Sequence, residues 1–220
     1  MAKCKFCKSK FEPKFFLDKA CQNDECRTMF VKQTISKANK QREKEQKKQR
    51  VEKTKQQRIE KNNIKTLGDW KNMLQPFINQ IARLIDYGQP CIVTGSYKGK
   101  MNGGHCIAVG SNATLRYNLH NIHIQSEYSN KHKGGDNIRY KEGIERVYGK
   151  QYLEFINELQ QTETINLSIV DIQNVMPEVK QIIKELKDSE LIYSPDERIM
   201  LRNKYNERIG IYKIMFNENN

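Results

Sequence analysis

Apolar residues and acids are both in short supply in this sequence. Hydrophobic residues fill 37% of its 220 positions and the mean hydropathy is −0.84, which argues against a single large core. The length allows one mid-sized domain or two small ones. No run is apolar enough to cross a bilayer. The first residues, Met-Ala-Lys-Cys, lack the apolar stretch of a signal peptide. Both absences predict a cytoplasmic protein with no membrane partner. In that compartment the six cysteines are expected to be metal ligands or free thiols rather than disulfides.

Acid is scarce enough, 26 Asp and Glu against 39 Lys and Arg, to leave a formal net charge of +13. The excess is focused. Residues 37–65 hold twelve Lys and Arg against four Glu, a net of +8. From Arg27 to Lys65 glycine and proline are absent and Lys, Arg, Gln and Glu dominate, all good helix formers. No apolar heptad persists, so a coiled coil is disfavoured. Ile35, Val51, Ile59 and Ile64 are too few for a membrane-seeking face. Residues 31–66 therefore read as a solvated basic helical linker. They read equally as a helix lying along phosphates, because such a charge releases counterions on meeting DNA. Arg42, Lys47, Lys48 and Arg50 are its candidate nucleic-acid-binding residues. Contacts of this kind add affinity without sequence preference.

Ahead of that segment, Cys4-x2-Cys7 is followed by thirteen residues and Cys21-x4-Cys26. Two close cysteine pairs across a short loop match tetrahedral zinc–thiolate spacing. Phe11, Phe15 and Phe16 can cap a small core, but a module spanning 1–30 cannot fold on so little apolar area, so metal is expected to supply the folding energy. With four protein ligands the role is structural. The plainer alternatives are four unrelated thiols, or a redox pair at Cys4 and Cys7.

Thr66-Leu67-Gly68-Asp69-Trp70 marks the next boundary, with Asp69 as the expected N-cap. Met73, Leu74, Phe77, Ile78, Ile81, Leu84 and Ile85 recur at helical spacing. Pro76 lies inside the run, where it displaces the start or kinks the helix, and Gly88 and Pro90 supply the stop. This predicts a buried helix with no catalytic role for its residues. Cys91–Thr94 reads as a short strand, and a second strand runs to about Ile107. An open loop follows, then a helix from about Ile122 or Ile124 to Gly134-Gly135.

All four histidines fall between His105 and His132, in the company of Asn, Gly and Lys. The groups are Gly103-Gly104-His105, Asn121-Ile122-His123 and Asn130-Lys131-His132. That company suggests a small metal-assisted hydrolytic site rather than a core. Singly, each residue has a plainer reading. His120 sits on a surface loop, His123 donates to a backbone carbonyl, Asn121 is an N-cap, and His132 ends a helix.

The order Gly104-His105, Leu115-Arg116-Tyr117-Asn118, Asn121-Ile122-His123 and Asn130 near Gly135 resembles the NinG/Rap family of phage recombination proteins. The likeness includes the cysteine module, the basic helix, Thr66 to Trp70, Gly88-Gln89-Pro90-Cys91 and Ile144 to Gly149. Members are similar to HNH, or ββα-metal, nucleases and to endonuclease VII-like resolvases. The resemblance implies a structure-directed endonuclease for branched recombination intermediates such as Holliday junctions or D-loops. Its catalytic residues would be His105, Asn121 and His123. His105 would be the general base. Asn121 would pin the loop and orient His105, and His123 would be a second metal ligand or an orienting group. Asn130, with His132 as runner-up, would hold a catalytic Mg²⁺ or Mn²⁺. Arg116, Lys131 and Lys133 would clamp phosphates. The partner is DNA, branched by this reading, and a symmetric junction cut would call for a homodimer.

The chain departs from that family in two places. Members carry two further Cys-x2-Cys pairs, where this sequence has Cys91 with Thr94 and Ser126 with Ser129. A second zinc is therefore not expected. Packing of Ile92, Ile107, Ile122 and Tyr128, with hydroxyl hydrogen bonds, must hold the hairpin instead. No acid stands immediately before His105, where Asn102, Gly103 and Gly104 lie, and Asp136, the nearest acid after the expected helix, is not assigned as a ligand. The alternative is a catalytically inactive nucleic-acid-binding zinc protein of the same lineage, or a third reading, an RNA- or ribosome-associated protein.

From Ile144 an apolar stripe predicts one helix, to Leu159. Ser168 to Asp171 resembles a capping box, and Val179–Leu186 and Ile199–Phe216 read as helices interrupted by Pro177 and Pro195. The expected class is α+β and mostly helical. It comprises an N-terminal zinc module (1–30), a basic helix (31–66), a small ββα-metal, HNH-like core (67–150) and C-terminal helices (151–220).

Overall fold

The run without glycine or proline folds as one 40-residue helix, α1 (Asp24–Asn63). A computed structural model describes residues 1–15, 17–132, 137–189 and 191–217, without the side chains of Lys131 and His132. The chain divides into two units, Met1–Ile64 and Lys65–Asn220.

In the first unit, β1 (Ala2–Lys3) pairs antiparallel with β2 (Lys10–Phe11). The Asn23 side chain starts α1 by accepting from the Glu25 and Cys26 N–H groups at 3.0 and 3.2 Å. Only Cys26 of α1 is buried, as a helix without an apolar stripe requires. The small core joins Cys4, Ala20 and Cys26 to Phe6, Phe11 and Phe30. Phe15, expected as a cap on this core, is exposed instead. Its N–H and that of Lys14 are taken by Asp18, which closes a surface turn. Phe16 lies outside the described residues.

In the second unit, α2 (Leu67–Ile85) is capped by Thr66 rather than by Asp69. Asp69 is the third helical residue and returns the bond, so the two form a capping box. Pro76 stays inside α2. Asp86 is the C-cap, and Gly88 takes a positive φ of 74° two residues beyond it.

Cys91–Thr94 is a turn, not a strand, closed by Gly95 N–H to the Cys91 carbonyl at 2.8 Å. The strands are β3 (Met101–His105) and β4 (Ile122–Ser126), antiparallel with Gly104 opposite His123 and His105 opposite Ile122. Ile122-His123-Ile124-Gln125 therefore alternates at the strand period where the sequence suggested a helix. The helix that follows, α3 (Glu127–His132), is short. Next come α4 (Asn137–Tyr148) and α5 (Lys150–Glu158). Gly149, with φ 86°, separates what had read as one helix. α6 (Ile169–Ser189) opens with the Ser168–Asp171 bond pair and carries Pro177 within it, and α7 (Pro195–Ile209) begins on Pro195.

One core packs α2 against α6 and α7 through Leu74, Ile78, Ile81, Val179, Ile182 and Ile209. A second gathers Cys91, Ile92, Ile107, Leu115, Ile144 and Tyr152. The β3–β4 ribbon lies between α2 and α4. A Cβ on Gly103 would meet Asn79 of α2 at 3.0 Å, and one on Gly104 would overlap Gln125. Gly103 lets β3 approach α2 this closely, and any side chain at Gly104 would have to displace the buried Gln125 amide. No helix among the described residues is long and apolar enough to cross a membrane.

Candidate functional site

In the first unit, Cys4 follows β1, Cys7 sits in the next turn, Cys21 precedes α1, and Cys26 lies in its first turn. Their sulfurs all fall within 4.8 Å of one another, with Cys7 and Cys21 Sγ 3.6 Å apart. A zinc–thiolate tetrahedron with bonds of about 2.3 Å has edges of about 3.8 Å. The donor set therefore fits a metal such as zinc. The small apolar core gives the physical need for one.

In the second unit the site grows from the end of β3. The stretch from Cys106 to Asn121 leaves the ribbon and returns to it. Asn121, fully buried, clasps both ends of the excursion. Its Oδ1 accepts from Ile107 N–H at 2.8 Å, and its Nδ2 donates to the carbonyls of Ile107 and Leu115 at 3.0 and 3.3 Å. The C-terminal helix braces the same loop. Asn206 Oδ1 accepts from Leu119 N–H, and Arg202 Nε donates to the Leu119 carbonyl. Beyond α7, the Tyr212 hydroxyl accepts from Tyr117 N–H and donates to Thr114 O.

His105 is half-buried beside this loop, with Nε2 3.0 Å from the Arg116 carbonyl. A carbonyl only accepts, so Nε2 carries the proton and Nδ1 keeps its lone pair. Burial lowers the His105 pKa. The Arg116 carbonyl opposes that shift and the Arg116 guanidinium adds to it. A neutral imidazole with one free lone pair can take a proton from water or ligate a metal.

Arg116 is held by α2. Its Nε donates to Gln75 Oε1 and its Nη2 to Asn72 Oδ1, both at 3.0 Å. Gln75 Nε2 donates to Asn79 Oδ1 at 2.7 Å and lies 3.5 Å from His105 Nε2. These α2 residues were given no chemical role from the sequence. The available signal was a polar row, Asn72, Gln75 and Asn79, along a helix otherwise read by its apolar stripe.

The structure thus brings His105, Asn121 and Arg116 together. His123 is not with them. It is opposite Gly104, so its side chain projects from the other face of the ribbon from His105. It is fully buried against Tyr140 and Tyr148, and burial, then Arg202, holds its pKa well below the usual histidine value. His120, expected on the surface, is also fully buried. Its Nε2 donates to Asn203 Oδ1 at 3.0 Å and its Nδ1 accepts from Tyr152 at 2.8 Å. Asn130 is half-buried on α3, which starts at the Ser126 end of β4, away from the His105–Ile122 pair. The side chains of Lys131 and His132, and all of Lys133, lie outside the described residues. Arg42, Lys47, Lys48 and Arg50 are exposed on α1.

Cys91, Thr94, Ser126 and Ser129, distant in sequence as two pairs, converge. The Cys91 sulfur accepts from Ser126 N–H at 3.2 Å and lies 3.5 Å from Ser129 Oγ, and the Ser126 and Ser129 hydroxyls meet at 2.9 Å. Burial alone would raise the Cys91 thiol, but bonds from Thr94, Ser126 N–H and Ser129 outweigh it and lower its pKa to about 6. Ile92, Ile107 and Ile122 are buried nearby, whereas Tyr128, expected to pack with them, is exposed.

Comparison with known proteins places these features in a lineage. The family described as Bacteriophage Lambda NinG protein matches residues 1–190. The NinG protein of Escherichia phage lambda is 30% identical over 193 residues, covering 77% of this chain and 93% of that protein. The NinG protein of Enterobacteria phage H19B is 33% identical over 162 residues, 70% and 79% of the two chains. That of Salmonella phage P22 is 28% identical over 193 residues, 77% and 94%. No solved structure matches.

Proposed function

The chain belongs to the NinG family, and we propose that it is a metal-dependent endonuclease of the HNH type acting on branched DNA recombination intermediates. The observation that carries this reading is the state of His105. The ring is fixed through Nε2 by the Arg116 carbonyl, in a loop clasped by Asn121, with Nδ1 left as the base. His105 would take the proton of the attacking water. Arg116 would face the phosphate, and Asn121 would keep the loop in register. A divalent ion would neutralise charge on the leaving oxygen. The ion's oxygen ligands would come from the DNA phosphate and water, because Asn130 belongs to the helix that starts at the other end of the ribbon. The described residues bonded to His105 and Arg116 are amides and a carbonyl, a lean set for Mg²⁺. The four N-terminal cysteines would hold a structural zinc. The exposed cations of α1 would supply affinity for the DNA backbone.

The test is incubation of purified protein with a four-way junction, a fork and linear duplex, with and without Mg²⁺ or Mn²⁺. Metal-dependent nicking of the branched substrates is expected. His105→Ala should abolish it and leave binding nearly intact. Nicking by His105→Ala at the native rate would remove His105 from the mechanism.

A second reading, an inactive DNA-binding member of the lineage, is favoured by one observation. Hydroxyls stand with the single thiol Cys91 at the converged Cys91–Thr94–Ser126–Ser129 positions. Binding without product in either metal would select it.

A further inference from the structure

The geometry points to a phosphate-binding cradle built by Asn72, Gln75 and Arg116 against His105, in which Gln75 is the positioning residue. The inference deepens the nuclease reading and rests on it for its biological ligand, a phosphodiester of the DNA backbone.

Among the described residues nothing cancels the charge of Arg116. Its guanidinium is held at two points, by Gln75 Oε1 and Asn72 Oδ1, and both partners are neutral amides. Among the described residues no carboxylate pairs with it. An arginine meant only to stabilise the fold is commonly matched by an acid, as Arg202 is by Asp86 in this same unit. Two neutral acceptors fix the plane of the guanidinium and leave its full charge, together with the Nη1 donors, for an anion. Asn72 is exposed, so the cradle opens to solvent.

Gln75 sets the direction. Its amide nitrogen is committed to Asn79 Oδ1 at 2.7 Å, which turns its oxygen toward Arg116 Nε. Asn79 cannot drift, because the backbone of Gly103 packs against it closely enough that a Cβ there would touch it at 3.0 Å. The same Arg116 offers its carbonyl to His105 Nε2. One residue therefore orients the base with its main chain and the anion with its side chain. A shift of Arg116 misplaces both at once.

The test uses the full ¹⁵N-labelled protein with inorganic phosphate as probe. NMR reads the Arg116 Nε–H resonance and the tautomer of the His105 ring, with His105→Asn to assign it. In the native protein phosphate should move the Arg116 signal, and His105 should carry its proton on Nε2. Gln75→Ala should weaken phosphate binding at least tenfold and mix the His105 tautomers. Gln75→Glu, which supplies a counter-charge, should abolish binding. Asn72→Ala, at an exposed position the core does not use, should weaken binding three- to tenfold with the fold unchanged. An Arg116 signal indifferent to phosphate overturns the cradle. So do an unchanged affinity in Asn72→Ala and an unchanged tautomer in a folded Gln75→Ala. Failure of the nuclease reading would look different: phosphate binds as described, yet no metal-dependent nick appears.

Discussion

Arg202 donates to both carboxylate oxygens of Asp86 at 2.8 Å, and neither side chain is more than 1% exposed. Asp86 caps α2 and also accepts from Ile124 N–H of β4 and from Tyr148 of α4, with Arg198 at 3.5 Å. A single carboxylate thus ties four elements around the back of the ribbon. Removing Arg202 leaves the buried Asp86 carboxylate with only the longer Arg198 contact, which places the cost near the low end for a broken buried pair, about 3 kcal/mol. Arg202→Met should lose that much in denaturant unfolding. Asp86→Asn with both Arg198→Met and Arg202→Met should recover part of it, because the Ile124 N–H keeps an acceptor and no buried cation is left unpaired. A triple variant no more stable than Arg202→Met would show that the ion pair is not the source of the loss.

The Asn121 clasp is the second lever. Asn121→Ala removes three bonds to buried backbone groups and leaves the Ile107 N–H without its partner. Unsatisfied buried groups cost about 1–3 kcal/mol each. A loss of about 3 kcal/mol is expected, or about 10 °C in the midpoint of a unit this size. Asn121→Asp keeps the acceptor but loses the donor and buries a charge, so it should fare no better. Thermal unfolding followed by near-ultraviolet dichroism of Trp70 reads both variants. A midpoint within 2 °C of native, roughly half a kcal/mol, would assign the loop's shape to Tyr212 and Asn206 instead.

For the cysteine module, Cys26→Ser and chelation test the same claim. Each should reduce bound zinc from close to one per chain and unfold residues 1–23 while the second unit melts as before. Metal analysis and proteolysis near the N-terminus read the outcome. A Cys26→Ser protein with native protease resistance and no metal would show that Phe6, Phe11 and Phe30 suffice alone.

How much of this was legible depends on how local each signal is. The cysteine pairs, the basic helix and the apolar stripe of α2 are periodic or closely spaced, and the structure repeats them. The Thr66–Asp69 box was also local, but Asp69 is as good a cap by residue type as Thr66. Only the reciprocal bond tells them apart. His120 and His123 sit among Asn and Gly, which suggests a surface. Their partners Tyr152, Asn203 and Tyr140 come from 17 to 83 positions away, and no local pattern reports them. The strand period of Ile122-His123-Ile124-Gln125 is present in the sequence, but β4 is only five residues long, and over so short a run alternation is hard to tell from the start of a helix. Gln75 was passed over because a helix with one strong apolar face conceals a polar row on another.

The two buried histidines set the acid limit of the fold. Burial first, then the Arg202 charge, lowers the His120 pKa to about 3 and holds that of His123 well below its ordinary value. Unfolded, each returns to about 6.5. Below that pH the unfolded chain binds more protons than the native one, so stability falls as pH falls and is flat above it for these groups. The slope is about 1.4 kcal/mol per pH unit for each histidine. Between pH 6 and 5 most carboxylates remain ionised in both states, so the two buried imidazoles dominate that window, with smaller contributions from His105 and from the Cys91 thiol, whose pKa values are lowered too. Urea unfolding should lose about 2–3 kcal/mol across it. His120→Gln retains a donor and an acceptor but does not titrate. It should flatten the slope by about half, whatever it costs at neutral pH. A slope identical to native would mean that His120 takes up a proton within the folded protein, at odds with its bonds to Tyr152 and Asn203.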